Sequence, residues 1–457
     1  LALAPLGIAL LGAACSSNSG HGHDGGAGGC SFSLISNAVS PKMATVGVVE
    51  WSTTLSNLAS AQIVYVLNGA GADVLNRGGT APVDLTRPNH RTLLLGLKPA
   101  SSYGFHIEAT DVNGTTCRSA DYTLPATGLL PDAPAISRTA VNAAAQAGGF
   151  IVTSSGVTYG NYAIIIDADG AVVWYAESPI QCTRARIDYE GANMWMVAAN
   201  EDNSTGEMRF VSMDGQTTMT NISGLSDAHH DFAVLPGKIA AMVWTTTDID
   251  AESNLVEMNS DGSGSAQTVF RIGANLYVGT TMPGNQTPSY HCNSILYHAA
   301  DDSFTIGDRY PNLYVKVSHA GALQWQFGGS CRNAPAGASA CVSESWRVNH
   351  GHHLLDDGTM LVFNNNTGGA PSDVLEFKLT ATGGSLSATP VTDFESGSLT
   401  SNVLGDVQRL PNGNTLITYS TSGEILEVDP SWATVQTITG SYGYADWRET
   451  LYGPPAR

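Results

Sequence analysis

From residue 135 onward, short apolar runs alternate with turn clusters, and the runs recur. Asp-Phe-Ala-Val-Leu-Pro-Gly (231–237), His-His-Leu-Leu-Asp-Asp-Gly (352–358) and Asp-Val-Gln-Arg-Leu-Pro-Asn-Gly (406–413) match one another. Each precedes an apolar strand: Ile239 to Val243, Met360 to Phe363 and Thr415 to Tyr419. Outer strands turn at Asp169-Gly170 and at Ala320-Gly321. Aligning Ile187, Leu235, Leu296, Leu355 and Leu410 gives a spacing of about 48 to 61 residues, the size of a four-stranded propeller blade with its loops. Residues 135–457 are therefore expected to form a six-bladed β-propeller.

Upstream, residues 30–127 alternate like a small β-sandwich. Val46 to Trp51, Ala61 to Leu67, His90 to Leu97, Phe105 to Thr110 and Cys117 to Leu124 read as strands. Leu97-Lys98-Pro99-Ala100-Ser101-Ser102-Tyr103 resembles the corner of fibronectin type III domains, with Ser101 in place of Thr. There a buried Tyr ties its hydroxyl back to the chain. Gly128 to Pro134 is a Pro-rich boundary. The expected fold is all-β: an N-terminal fibronectin III-like β-sandwich, then the propeller.

Composition agrees with short strands and many turns, since charged residues are only 13% of the chain. The formal net charge of −20 repels polyanions and argues against a nucleic-acid partner. Any anion must meet a local cluster of Arg and His. Residues 1–15 read as the core of a secretory signal, and Leu10-Leu11-Gly12-Ala13-Ala14-Cys15 resembles a lipobox, with Gly12 where Leu is usual. Cys15 is the expected lipidation site, which places the protein in a bacterial cell envelope, at the periplasm or the outer surface. Residues 16–29 read as a Gly/Ser tether, and His21 and His23 within it as solvated. Export permits disulfides. Cys331 and Cys341 are expected to staple a loop, and Cys30 and Cys117 to join the first and last strands of the sandwich. Cys182 and Cys292 are left open between pairing and free thiols, and no cysteine spacing suggests zinc.

Five residues before each aligned Ile or Leu stand Cys182, His230, His291, His350 and Gly405. Three consecutive repeats thus put histidine at one structural position, and equivalent propeller positions converge on the axis. Asn293 follows His291, and Arg309 ends the next strand, Ser303 to Arg309. Arg offers a fixed fork of donors and Asn a neutral donor. A guanidinium opposes a bound cation, so this set favours a tetrahedral anion such as sulfate or phosphate. His352 occupies the repeat position of Asn293 and is a further candidate for substrate binding. His229, His298 and His353 read as structural or outward-facing, and Asp231 either orients His230 or caps a turn.

His229-His230-Asp231, His291-Cys292-Asn293, Arg309-Tyr310, and His350 ahead of Met360-Leu361-Val362-Phe363-Asn364-Asn365 resemble bacterial arylsulfate sulfotransferases. The resemblance runs over most of residues 128–457. It implies a six-bladed propeller that moves sulfuryl groups from aryl sulfates to phenols without a nucleotide donor or other cofactor. It also implies that His350 is transiently sulfated, that His291, Asn293 and Arg309 hold the sulfuryl oxygens, and that His230 is the remaining active-site histidine. The family's Phe-Asp-Asn-Gly strand end reads Phe363-Asn364-Asn365-Asn366 here. The implied partners are small phenolic and aryl sulfate substrates; a homodimer and a membrane lipid anchor are left open. Two rival readings use the same residues: a metal-dependent hydrolase built on His230, His291 and His350, and a ligand-binding propeller without catalysis.

Overall fold

The computed structural model describes residues 30–156, 161–199, 206–244, 254–272, 291–329, 331, 341–344, 346–382 and 384–455, and the backbone of 24–25. The expectations for residues 1–15, Cys15 and His21/His23 lie outside the described residues. The fold is all-β.

Two sheets form the N-terminal unit. One carries Ser31–Val39, Gly47–Thr53 and Thr92–Leu94; the other carries Gly78–Pro82, Leu58–Leu67, Tyr103–Asp111, Thr116–Arg118 and Tyr122–Leu124. Every second residue of Tyr103–Asp111 is buried, the period of a sheet with one face on a core. That core holds Phe32, Trp51, Ile63, Leu97 and Phe105. The Cys30–Cys117 disulfide joins the two sheets. Tyr103 Oη accepts a hydrogen bond from Lys98 N at 2.8 Å, fixing the corner. The stretch from Cys117 to Leu124 is two strands rather than one. Ser119 interrupts it, exchanging bonds with the Ile107 backbone through its own N–H and its Oγ.

Among the described residues six sheets follow, each with an inner strand at one edge: Cys182–Ile187, Ala228–Leu235, Cys292–His298, Asn349–Leu354, Asp406–Arg409 and Ala445–Arg448. These inner strands neighbour one another in chain order, and the sixth returns to the first. Ala445–Arg448 pairs with Phe150–Ser154, so the last strand of the chain completes the sheet that opens the region. Ser137–Ala140 pairs with Thr434–Thr439 in the same way, tying both ends together. Tyr162–Asp167 and Ala228–Leu235 are buried along their whole length because each sheet packs between two others; the first is mostly apolar, whereas the second takes His229, His230 and Asp231 inside with it. Cys331–Cys341 is the second disulfide, and Cys182 and Cys292 are both buried.

Candidate active site

Four successive inner strands lose regular register at one level: between Cys182 and Arg184, Ala228 and Phe232, Cys292 and Ser294, and Asn349 and His352. An extra residue in a strand re-aims the side chains beside it. His230 and His350 lie inside these irregular stretches, and His291 directly precedes one. His230 has φ +56° and Val348 φ +69°, left-handed conformations that cost most for a branched side chain.

The register brings three rings together. His291 Nε2 lies 3.0 Å from His230 Nε2, and His230 Nδ1 lies 2.9 Å from His229 Nδ1. A neutral imidazole has a single N–H, so both bonds run in one direction along the three rings. His229 in turn stacks on Trp244, with ring centroids 4.1 Å apart. Arg309 is anchored by its N–H on the His291 carbonyl at 3.0 Å, and Asp308 Oδ1 accepts from His291 N at 2.9 Å.

Burial dominates the electrostatics. It pushes His350 down to about 3, with Arg309 and His291 adding to the effect against the Asn365 bond. Burial and then Arg309 push His291 down to about 4. His230 falls well below its usual value through burial, then through His291, His229, His350 and Arg309. At neutral pH the site therefore presents uncharged imidazoles beside one fixed guanidinium. Lone pairs, N–H donors and a positive charge suit an anion whose centre can be attacked. Among the described residues, no three His, Cys, Asp or Glu side chains are arranged to hold a metal.

The family model for arylsulfotransferase (ASST) matches residues 136–375, just over half of the chain and all three histidines. The chain belongs to the arylsulfotransferase family. Comparison with curated proteins gave no match. Among solved structures, it is similar to a Bacteroides caccae protein of unknown function (13% identity, 65% of this chain and 98% of that one, TM-score 0.43). It is also similar to a chain of the nidogen/laminin complex (9%, 65% and 97%, TM-score 0.43) and to the Pseudomonas aeruginosa periplasmic gluconolactonase PpgL (12%, 86% and 98%, TM-score 0.38).

In this member of the family, His230 and His291 touch, and the field of Arg309 reaches all three histidines. Asn293 sits one step deeper. Its Nδ2 donates to the Asn349 carbonyl at 2.7 Å, which leaves a second amide hydrogen to offer. His352 is not brought to the group. Its ring is buried against Tyr314, with Nδ1 on Ser294 Oγ (3.0 Å) and Nε2 on Thr305 Oγ1 (2.8 Å). Both of its nitrogens are thus spent on the neighbouring sheet, which corrects the expectation that it reaches substrate. His298 and His353 are likewise structural, bonded to Thr305 Oγ1 and to Arg409 N.

Asp231 does not orient His230. It accepts from Arg184 Nε (2.8 Å), Phe232 N (2.8 Å) and Ile295 N (3.0 Å). It belongs to a buried network in which Arg184 also meets Asp406 (2.7 Å) and Asp446 (3.2 Å), and Arg186 meets Asp446 (2.7 Å). Arg184 and Arg186 hold Asp446 low despite its burial, whereas burial raises Asp406 to about 6. This network plugs the space between the inner strands. Beyond it, toward their far ends, lies a cavity of about 400 Å³ lined in part by Arg186, Leu296, His353 and Trp447, away from the histidine cluster. Sequence reasoning missed the network. Asp231 and Asp406 stand one residue after His230 and Gly405, so the same repeat register read one step further would have found it.

Proposed function

We propose that this arylsulfotransferase moves a sulfuryl group from an aryl sulfate to a phenolic acceptor in two steps, through a sulfohistidine on His350. The observation that carries the reading is Arg309, a permanent cation set among neutral His230, His291 and His350 in a protein of net charge −20. A neutral imidazole attacks the sulfur; the S–O bond breaks, and its electron pair leaves on the phenolate. Arg309, His291 and the second Asn293 hydrogen bind the three sulfuryl oxygens, each well-placed donor being worth about 3–4 kcal/mol of barrier. The phenolate leaves as the anion and takes its proton from solvent, and neutral His230 takes the proton of the incoming phenol and passes it to solvent. The acceptor oxygen then attacks sulfur, and the N–S electron pair returns to His350.

The frame for this chemistry is a six-bladed β-propeller over residues 135–457. The ring of six neighbouring inner strands and the two end-tying strand pairs support it. We read residues 30–127 as a fibronectin III-like domain, a reading supported by the Tyr103 corner bond. Two disulfides suit an oxidising compartment, and we place the protein in the cell envelope, lipid-anchored through Cys15.

The test is a chromogenic aryl sulfate with and without phenol. Chromophore release that requires the acceptor and survives a chelator supports transfer. Release without acceptor marks a sulfatase, and loss on chelation that metal restores marks a metal-dependent hydrolase.

A further inference from the structure

His350 lies against a side chain that no step above uses. Asn365, on the loop after strand Thr359–Asn364, is buried, and its Oδ1 stands 2.5 Å from His350 Nδ1. An amide can point either way, and here its surroundings decide. Asn365 Nδ2 faces two backbone carbonyls, Ser401 O at 2.5 Å and Leu404 O at 2.7 Å, which only accept hydrogens. The –NH2 must be on that side, so the atom facing His350 is the amide oxygen, itself only an acceptor. The bond exists only if His350 carries its hydrogen on Nδ1. An uncharged ring has one such hydrogen, which leaves Nε2 with a bare lone pair.

Everything around the amide holds this arrangement. Asn365 N donates to Val348 O at 2.8 Å, pinning the loop to the left-handed residue two before His350. Ser372 Oγ donates to Asn365 O at 2.8 Å and accepts from Ser401 N at 2.8 Å, locking the two loops together. Gly405 stands at the repeat position that carries histidine in three other sheets. A Cβ there would meet the Phe363 ring at 2.1 Å, so a side chain would push away the 401–405 segment that supplies both carbonyls.

We infer that Asn365 is a positioning residue that fixes His350 as the Nδ1–H tautomer and so selects Nε2 as the atom that carries the sulfuryl group. This rests on the reading of His350 as the sulfated residue. The selected lone pair forms the N–S bond while the aryl S–O bond breaks toward the phenolate. The ring keeps its Nδ1 hydrogen and becomes a cation, and Asn365 Oδ1 then accepts a charge-assisted bond, stronger than in the resting state. When the phenol oxygen takes the sulfur, the N–S pair returns to Nε2 and the ring is neutral again, still in the reactive tautomer.

The test is ¹⁵N NMR of histidine-labelled protein, with His350 assigned by its absence from H350Q, alongside kinetics of N365L. In the resting wild type, Nδ1 is expected to resonate as a protonated nitrogen and Nε2 as an unprotonated one. N365L matches Asn in size but offers no acceptor. It is expected to lose that pattern and to lower kcat roughly 10- to 100-fold with little change in donor KM, as when an interaction specific to the transition state is removed. A bare Nδ1 in wild type, or wild-type kcat in folded N365L, would overturn the inference. If N365L does not fold, the wild-type ring spectrum still decides. Because that spectrum is taken without substrate, failure of the sulfotransferase reading appears separately, as wild type that turns over no aryl sulfate.

Discussion

Arg309 is half-buried, and among the described residues its side chain meets only the face of Tyr310 and the field of the histidines. Arg309→Ala is therefore expected to cut kcat/KM for an aryl sulfate by roughly 10²–10³, the usual effect of losing one donor aimed at developing charge. Arg309→Lys is expected to recover only part, because an ammonium lacks the planar fork. Steady-state rates with a chromogenic donor measure both, and an unchanged Arg309→Ala would remove Arg309 from the reaction. The same cation and the burial of the rings also set the pH response. With His350 near 3 and His291 near 4, the nucleophile stays unprotonated far below the ordinary histidine value. The acid limb of kcat/KM, which reports the free enzyme, is expected below pH 5. A limb at about 6.5 would mean an unperturbed imidazole controls the rate.

The element that builds the site is the irregular inner strand. Gly351, within the irregular stretch of Asn349–Leu354, shows why the residue types around it are constrained: a Cβ there would lie 1.9 Å from Asp406 Oδ1. Gly351→Ala is expected to destabilise the fold by about 1–3 kcal/mol, as overpacking does. A urea midpoint equal to wild type would deny the close approach. Much of this element was legible beforehand, because a repeat fixes the offset of a residue from its strand without any knowledge of the loops. His230, His291 and His350 were found that way. Where the repeat position and the actual side-chain direction part, the sequence misled. His352 shares an offset with Asn293, yet two residues rather than one separate the ends of its irregular stretch, and its ring turns into the neighbouring sheet. Asn365 stands in the strand-end motif that resembles the family, but its role could not be read from that pattern. Its role depends on two carbonyls from a segment about 36 to 39 residues away, and backbone acceptors leave no mark on sequence.

At the scale of the whole molecule, burial of neutral histidines makes stability depend on pH. His291, His298 and His353 are pushed down to about 4 and His350 to about 3, in each case first by burial. An unfolded chain binds protons on these rings below about 6.5, whereas the native state does not until far lower. The stability that these rings confer is thus complete above about pH 6.5 and is lost as pH falls toward 4, at up to about 1.4 kcal/mol per pH unit for each ring, offset in part by Asp373 and Asp406, whose raised carboxyls take up protons earlier in the native state. The urea midpoint is expected to fall steadily from pH 7 to pH 5, and less steeply in H353Q; a flat profile would contradict buried neutral rings. The most direct test of the account concerns one bond. Protein mixed with aryl sulfate in the absence of phenol, quenched at alkaline pH, is digested and weighed by mass spectrometry. The peptide containing His350 should gain one SO₃ and lose it when phenol is added before the quench. Acceptor-dependent turnover with no such adduct, or with the added mass on another residue, would contradict it.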